Sequence, residues 1–169
     1  MLKKILELLI VVIAVLFAGI QFVRPAKTNP LIDESRTIEA RHQVPPQVGA
    51  ILKRSCMDCH SHKTEWPWYS HIAPASWFLV EHVNEGRDEL NFSDWASYDR
   101  DEAEHLLLNI CRTVDNEVMP LPSYTPLHPS ARLTREDVGI LCAWTNEERR
   151  RLASTTLIKP ADTVLPSAR

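Results

Sequence analysis

Apolar positions along this chain fall into one long block followed by several shorter periodic stretches. The block runs from Ile5 to Val23, and Glu7 and Gln21 are its only polar interruptions. A run of that length can cross a bilayer as a helix. It exceeds a usual signal-peptide apolar region, and no clean A-x-A cleavage site follows. Residues 1–23 are therefore expected to form an uncleaved signal anchor, with a cleaved signal peptide as the alternative reading. Lys3 and Lys4 favour a cytoplasmic N-terminus and place the rest of the chain outside, while Arg24 and Lys27 on the far side weaken the asymmetry.

Residues 24–44 are polar, contain Pro25 and Pro30, and read as a tether. Residues 45–153 then carry the helical periodicity. Pro45 and Pro46 open a first short helix whose apolar face is Val48, Ile51 and Leu52. Pro74 opens a second helix, with Leu79, Val83, Gly86 and Leu90 on one face. The third has the clearest pattern: Ala103, Leu106, Leu107, Ile110, Cys111 and Val114 recur at helical spacing, and Asp99 with Glu102 resembles a capping box. Pro120, Pro122, Pro126 and Pro129 forbid a regular helix across the next segment. Thr134 and Asp137 then cap a fourth helix with Val138, Leu141, Cys142 and Thr145 inward and Trp144 beside them. No strand alternation is visible. The expected fold class is all-α, with long functional loops and a disordered tail over 154–169.

Composition narrows the chemistry. The net charge is −3, and no basic face points to nucleic acid. Pro outnumbers Gly 12 to 4, and no phosphate-cradling glycine motif is present. The informative run is Cys56-Met57-Asp58-Cys59-His60. C-x-x-C-H is a haem-attachment signature: two thiols add to two vinyl groups on one porphyrin edge, and the adjacent His supplies the proximal nitrogen. A dithiol redox motif would want a βαβ setting, a zinc site would want a second close Cys or His pair, and a Cys56–Cys59 disulfide would leave His60 unused. The run predicts one covalent haem c, held by Cys56 and Cys59 with His60 on the iron.

A sixth ligand is expected from Met119, set in Val118-Met119-Pro120-Leu121-Pro122, because Met/His pairing is the usual cytochrome c solution and the flanking prolines stiffen the backbone. Met57 lies inside the attachment run and faces the wrong way. Met119 as a simple core filler is the competing view. Among the histidines, His128 is the alternative distal ligand because it shares the Met119 loop; His62, His71, His82 and His105 are weaker rivals. Trp66, Trp68, Tyr69, Trp77 and Trp95 are candidates to wall the cofactor, and Trp68, Tyr69 or Arg87 to pair with a propionate. Arg149 to Arg151 read as a solvated helix end, with docking to an acidic redox partner as the alternative.

The order of helix, CMDCH, middle helices, Met-Pro loop and capped last helix resembles a class I cytochrome c. More closely, the chain resembles the bacterial membrane-anchored haem-binding domain family. The stretches that carry this are Gln21-Phe22-Val23-Arg24-Pro25, Cys56 to His60, Trp66-Pro67-Trp68-Tyr69-Ser70, Ile72-Ala73-Pro74, Val83-Asn84-Glu85-Gly86-Arg87, Leu90-Asn91-Phe92-Ser93 and Met119-Pro120. The resemblance implies haem binding rather than a defined reaction. Cys111 and Cys142 lie outside it; they are either buried free thiols or a disulfide joining the third and fourth helices.

The expected function is a single-pass protein of the bacterial inner membrane, its mono-haem domain facing the periplasm and exchanging electrons with redox partner proteins. No small-molecule substrate is required in that reading. The alternative is a peroxidase-like enzyme, or a gas or redox sensor, with an open or displaceable distal site.

Overall fold

The computed structural model describes residues 1–156, and these are all-helical with no strand among them. The elements are α1 (Leu2–Ile20), α2 (Ile38–Arg41), α3 (Pro46–Ser55), α4 (Met57–His60), α5 (Ala75–Glu89), α6 (Arg100–Asp115) and α7 (Arg135–Thr156). Short 3-10 turns fill Glu34–Arg36, Trp68–His71, Phe92–Ser97 and Pro129–Ala131. The all-α expectation holds over these residues.

The periodic helices form where their apolar spacing and end signals agree. Both expected capping boxes are present. Asp99 Oδ1 accepts from the Glu102 amide at 2.9 Å, while the Glu102 carboxylate accepts from the Asp99 amide at 3.0 Å. Asp137 Oδ2 accepts from the Thr134 amide at 2.8 Å, and the Thr134 hydroxyl accepts in return from the Asp137 amide at 3.1 Å. Each box satisfies amides that a helix start leaves open. Ala103, Leu107, Ile110 and Val114 of α6 meet Leu141 and Trp144 of α7 in the core, with Val48, Ile51 and Leu52 of α3. On α5 the buried residues are Ser76, Val80 and Val83, so the inward face is rotated by about one position from the expected Leu79-based stripe.

Cys111 and Cys142 form a disulfide between α6 and α7, with Cα atoms 4.7 Å apart. This decides the question that the sequence leaves open.

The segment 24–44 is not a free tether. Ile38 is 0% exposed. His42 Nδ1 lies 2.9 Å from Glu148 on α7, and Arg87 on α5 donates to the Thr28 carbonyl at 2.8 Å. A single large apolar residue flanked by polar ones carries no periodicity, which is why this packing is invisible in the hydrophobic pattern. At the other end, α7 runs through Thr156, beyond the expected boundary at 153; the rest of the expected tail lies outside the described residues. The Arg149–Arg151 run accordingly sits within α7, where these arginines pair with Glu104, Glu147 and Glu148.

Helix α1 stops at Ile20, short of Val23, and none of its residues is buried. Lys3, Lys4 and Glu7 fall within its 19 residues, and no helix among the described residues is long and apolar enough to cross a membrane. Past its end the chain docks onto the domain. Gln21 Nε2 donates to the Ala73 carbonyl at 3.1 Å, the Ala73 amide returns a bond to Gln21 Oε1 at 2.9 Å, and Trp77 donates to the Val23 carbonyl at 2.7 Å.

Candidate haem site

The CMDCH run folds as a single helical turn, α4. The Cys59 and His60 amides both donate to the Cys56 carbonyl, at 3.2 and 3.0 Å. Positions i, i+3 and i+4 share a helix face, but only Cys56 and His60 line the cavity beside this turn; Cys59, expected as the second thiol, is not among its lining residues and lies against Gly86 of α5, while Met57 and Asp58 turn elsewhere. Met57 is buried in the core. Asp58 Oδ2 accepts from the Tyr124 hydroxyl at 2.7 Å, and its Oδ1 accepts from the Glu65 amide at 2.9 Å. The two intervening residues therefore fasten the turn on two sides.

Helix α5 fastens it on a third. The His60 Nδ1–H donates to the Gly86 carbonyl at 2.7 Å and lies 3.1 Å from the Leu90 carbonyl. This fixes the ring and leaves Nε2 as the nitrogen available to a ligand, as is typical of a metal-binding His whose other ring nitrogen donates to a carbonyl. Burial lowers the pKa of His60, outweighing the bonds to these two carbonyls, because the charged ring is poorly solvated there. Gly86 permits the approach: a Cβ there would lie 2.8 Å from the Cys59 carbonyl oxygen.

Cys56 and Cys59 are free, in contrast to the bridged Cys111 and Cys142. Burial pushes the Cys56 thiol up to about 12, with Cys59 adding to the effect. Burial, with Asp58 next, pushes Cys59 up to about 11. Nucleophilic and dithiol-exchange cysteines need a lowered pKa. Both thiols here are shifted the other way, by burial. No cluster of three or more His, Cys, Asp or Glu among the described residues is placed to hold a metal ion.

A cavity of about 520 Å³ opens beside this turn. Cys56, His60 and Met119 all line it, with Leu90, Phe92 and Ile110 among its apolar walls. Glu89, Asn109, Arg112 and Asn116 add polar groups. An apolar cavity of this size with a few convergent polar groups is a normal small-molecule site. A flat apolar macrocycle with a ring-bound metal fits a space lined by one thiol, one imidazole and one thioether residue.

Met119 reaches this cavity through the way α6 ends. Glu117 has φ 57°, in the left-handed region. The Glu117 amide donates to the Val114 carbonyl at 3.2 Å and the Val118 amide to the Thr113 carbonyl at 2.9 Å, the paired bonds of a Schellman terminator. The Met119 amide also donates to the Thr113 carbonyl, at 3.1 Å. The thioether therefore follows directly from a fixed helix end.

His128, the alternative distal ligand, is not among the residues that line this cavity. Its Nε2 lies 2.8 Å from the Tyr69 hydroxyl, and its ring stacks on Tyr124 at 4.0 Å. Burial raises the pKa of Tyr124, with the bond to Asp58 adding to it. Of the expected aromatic wall, Trp68 is 73% exposed and none of Trp66, Trp68, Tyr69, Trp77 and Trp95 lines the cavity. Phe92 does so instead. It stacks on Trp95 at 6.3 Å and meets His60 edge-on at 6.3 Å. Phe92 is an isolated apolar residue in sequence, and only its place within Leu90-Asn91-Phe92-Ser93 could have flagged it. Arg87 is committed elsewhere. It donates to the carbonyls of Ser61 and Thr28, to Asn29 Oδ1 and to Thr64 Oγ1, all within 3.0 Å, and staples the 28–42 segment to the turn after His60. Arg112 is the arginine at the cavity.

No curated protein and no solved structure matches this chain. A family model described as a haem-binding domain matches residues 15–147, from the second half of α1 well into α7 and across every cavity residue named above. The chain belongs to the haem-binding domain family.

Proposed function

We propose that this protein is a membrane-attached mono-haem c-type cytochrome that carries electrons. The observation that carries the reading is that Cys56, His60 and Met119 line one apolar cavity, with His60 held through Nδ1. Haem, when bound, supplies a one-electron iron couple. Cys56 and Cys59 would hold it by thioether bonds, His60 Nε2 would be its proximal ligand, and Met119 would lie across the iron. Gly86 and Leu90 orient the imidazole, Phe92 and Ile110 exclude water, and the Asp58–Tyr124 bond ties the attachment turn to the distal loop. With His60 and Met119 both available to the iron, no substrate would need to enter, and the domain's work would be to set the potential and exclude competing chemistry.

Two features support export and attachment. A disulfide fits an oxidising compartment such as the periplasm. Helix α1 exposes apolar side chains all round and spans about 28 Å at 1.5 Å per residue. Its charges are confined to the first two turns, where lysines can reach a membrane surface. With Lys3 and Lys4 inside, the domain faces outward, where redox partner proteins meet it.

The test is haem staining on a denaturing gel together with the ferric spectrum. The wild type should retain haem through denaturation and show a low-spin spectrum with a near-infrared Met-to-iron band. Cys56→Ser/Cys59→Ser should lose covalent haem, and Met119→Ala should lose the band. Haem that survives loss of both cysteines overturns the covalent reading. A high-spin resting wild type overturns the carrier.

A further inference from the structure

The distal side of the cavity rests on a weakly structured segment. Between the end of α6 at Asp115 and the start of α7 at Arg135, the only helical turn is Pro129–Ala131. Met119 lies near the beginning of this stretch. It lines the 520 Å³ cavity and also a second cavity of about 710 Å³. Backbone bonds to Thr113 hold Val118 and Met119 to α6. Core packing against α6 and the Arg54–Asp137 ion pair from α3 hold α7, which carries the far end of the loop.

The Cys111–Cys142 disulfide stands at that place. Cys111 lies between Ile110 and Arg112, both of which line the first cavity, and Cys142 lines the second. The bridge spans 31 residues of sequence, and that covalent ring contains Met119. It adds a covalent tie to the packed core that joins α6 and α7, the two helices between which the Met119 loop is slung. Both cysteines are half-buried, and Cys142 opens onto the larger cavity, so a small reductant has a way in.

We propose that Cys111 and Cys142 are positioning residues for the distal ligand: their disulfide keeps Met119 on the cofactor side, and its reduction releases Met119 toward the second cavity. The inference rests on Met119 being the distal ligand. A dithiol reductant would supply two electrons and two protons, converting the S–S bond into two S–H groups while itself closing to a disulfide. The thioether bonds to haem are not cleaved in that exchange.

The experiment uses the full-length holoprotein in four forms: wild type, dithiothreitol-treated wild type, Cys111→Ala/Cys142→Ala and Met119→Ala. Carbon monoxide association to the ferrous form, the midpoint potential and far-ultraviolet circular dichroism are measured on each. The double variant and the treated wild type should both bind carbon monoxide ~10-fold or more faster than untreated wild type, as the open fraction rises. Their potentials should shift toward that of Met119→Ala, with helicity retained. The treated wild type gives the answer if the double variant does not fold. If Met119→Ala binds carbon monoxide no faster than wild type, Met119 is not the distal ligand and both readings fall. If Met119→Ala opens the site while the two bridge-free forms behave like untreated wild type, the ligation stands and the positioning role of the disulfide is overturned.

Discussion

At the scale of single residues, the site depends on how closely backbone can approach backbone. Gly86 is in an ordinary helical conformation, so its value lies in the missing side chain. An added Cβ would meet the Cys59 carbonyl oxygen at 2.8 Å and its carbon at 3.2 Å, both of them backbone atoms that cannot swing aside. The Gly86 carbonyl also accepts the His60 Nδ1–H. Gly86→Ala must therefore push α5 off the attachment turn and disturb the proximal ring together. Denaturant titration should show a loss of about 1–3 kcal/mol, the usual cost of forcing a methyl into a packed contact, and the haem spectrum should broaden or shift. An unchanged spectrum and midpoint would mean that α5 does not orient His60.

At the scale of elements, helix ends place the chemistry. Glu117 closes α6 in a left-handed conformation that costs an L-residue about 1–2 kcal/mol relative to glycine's freedom there. Glu117→Gly keeps the terminator bonds and relieves that cost, offset by the extra entropy glycine loses on folding. The expected net gain is below about 1 kcal/mol in thermal or denaturant unfolding, with the Met119 register unchanged. At the start of α7, burial works to raise the pKa of Asp137, but its bonds from Arg54 and Thr134 outweigh this and hold it below the usual carboxylate value. Arg54 Nη2 lies 2.6 Å from Asp137 Oδ1, and Arg54 Nη1 also donates to the Ser130 and Arg132 carbonyls, so the pair joins α3 to the end of the distal loop. A carboxylate whose folded pKa is depressed contributes stability above its unfolded pKa and loses it as pH falls through the folded value. Asp137→Asn should lower stability at neutral pH and flatten the acid limb of the pH–stability profile. A parallel, undiminished acid limb would show that this pair does not report on acid unfolding.

At the scale of the whole molecule, a largely apolar helix with no buried residue is joined to a folded domain through a short, hydrogen-bonded neck at Gln21–Ala73 and Trp77–Val23. Exposed apolar surface of that extent needs a covering. In flotation with liposomes, the full chain should rise with the lipid, while a chain beginning at Gln21 should stay in the aqueous layer and keep its haem spectrum. A full chain that remains aqueous would exclude membrane attachment by α1. The matched region, residues 15–147, takes in the end of α1 and the neck as well as the domain.

Local spacing along the chain was enough for the five long helices α1, α3, α5, α6 and α7, both capping boxes, the apolar N-terminal block and the Cys56–His60 run, because each is a short-range pattern: a 3.6-residue period, a cap three residues from its partner, two thiols and an imidazole within five residues. Tertiary structure alone decided which distant residues meet. It put Met119 rather than His128 on the cavity with His60, because the end of α6 delivers one and the Tyr69–Tyr124 pair retains the other. It drew the 24–44 segment into the core through Ile38, turned Arg87 from the cavity into a staple, replaced the expected tryptophans by Phe92, and closed Cys111 onto Cys142. Those outcomes depend on crossing helices and on carbonyls supplied by other elements, and no periodicity along one chain encodes them.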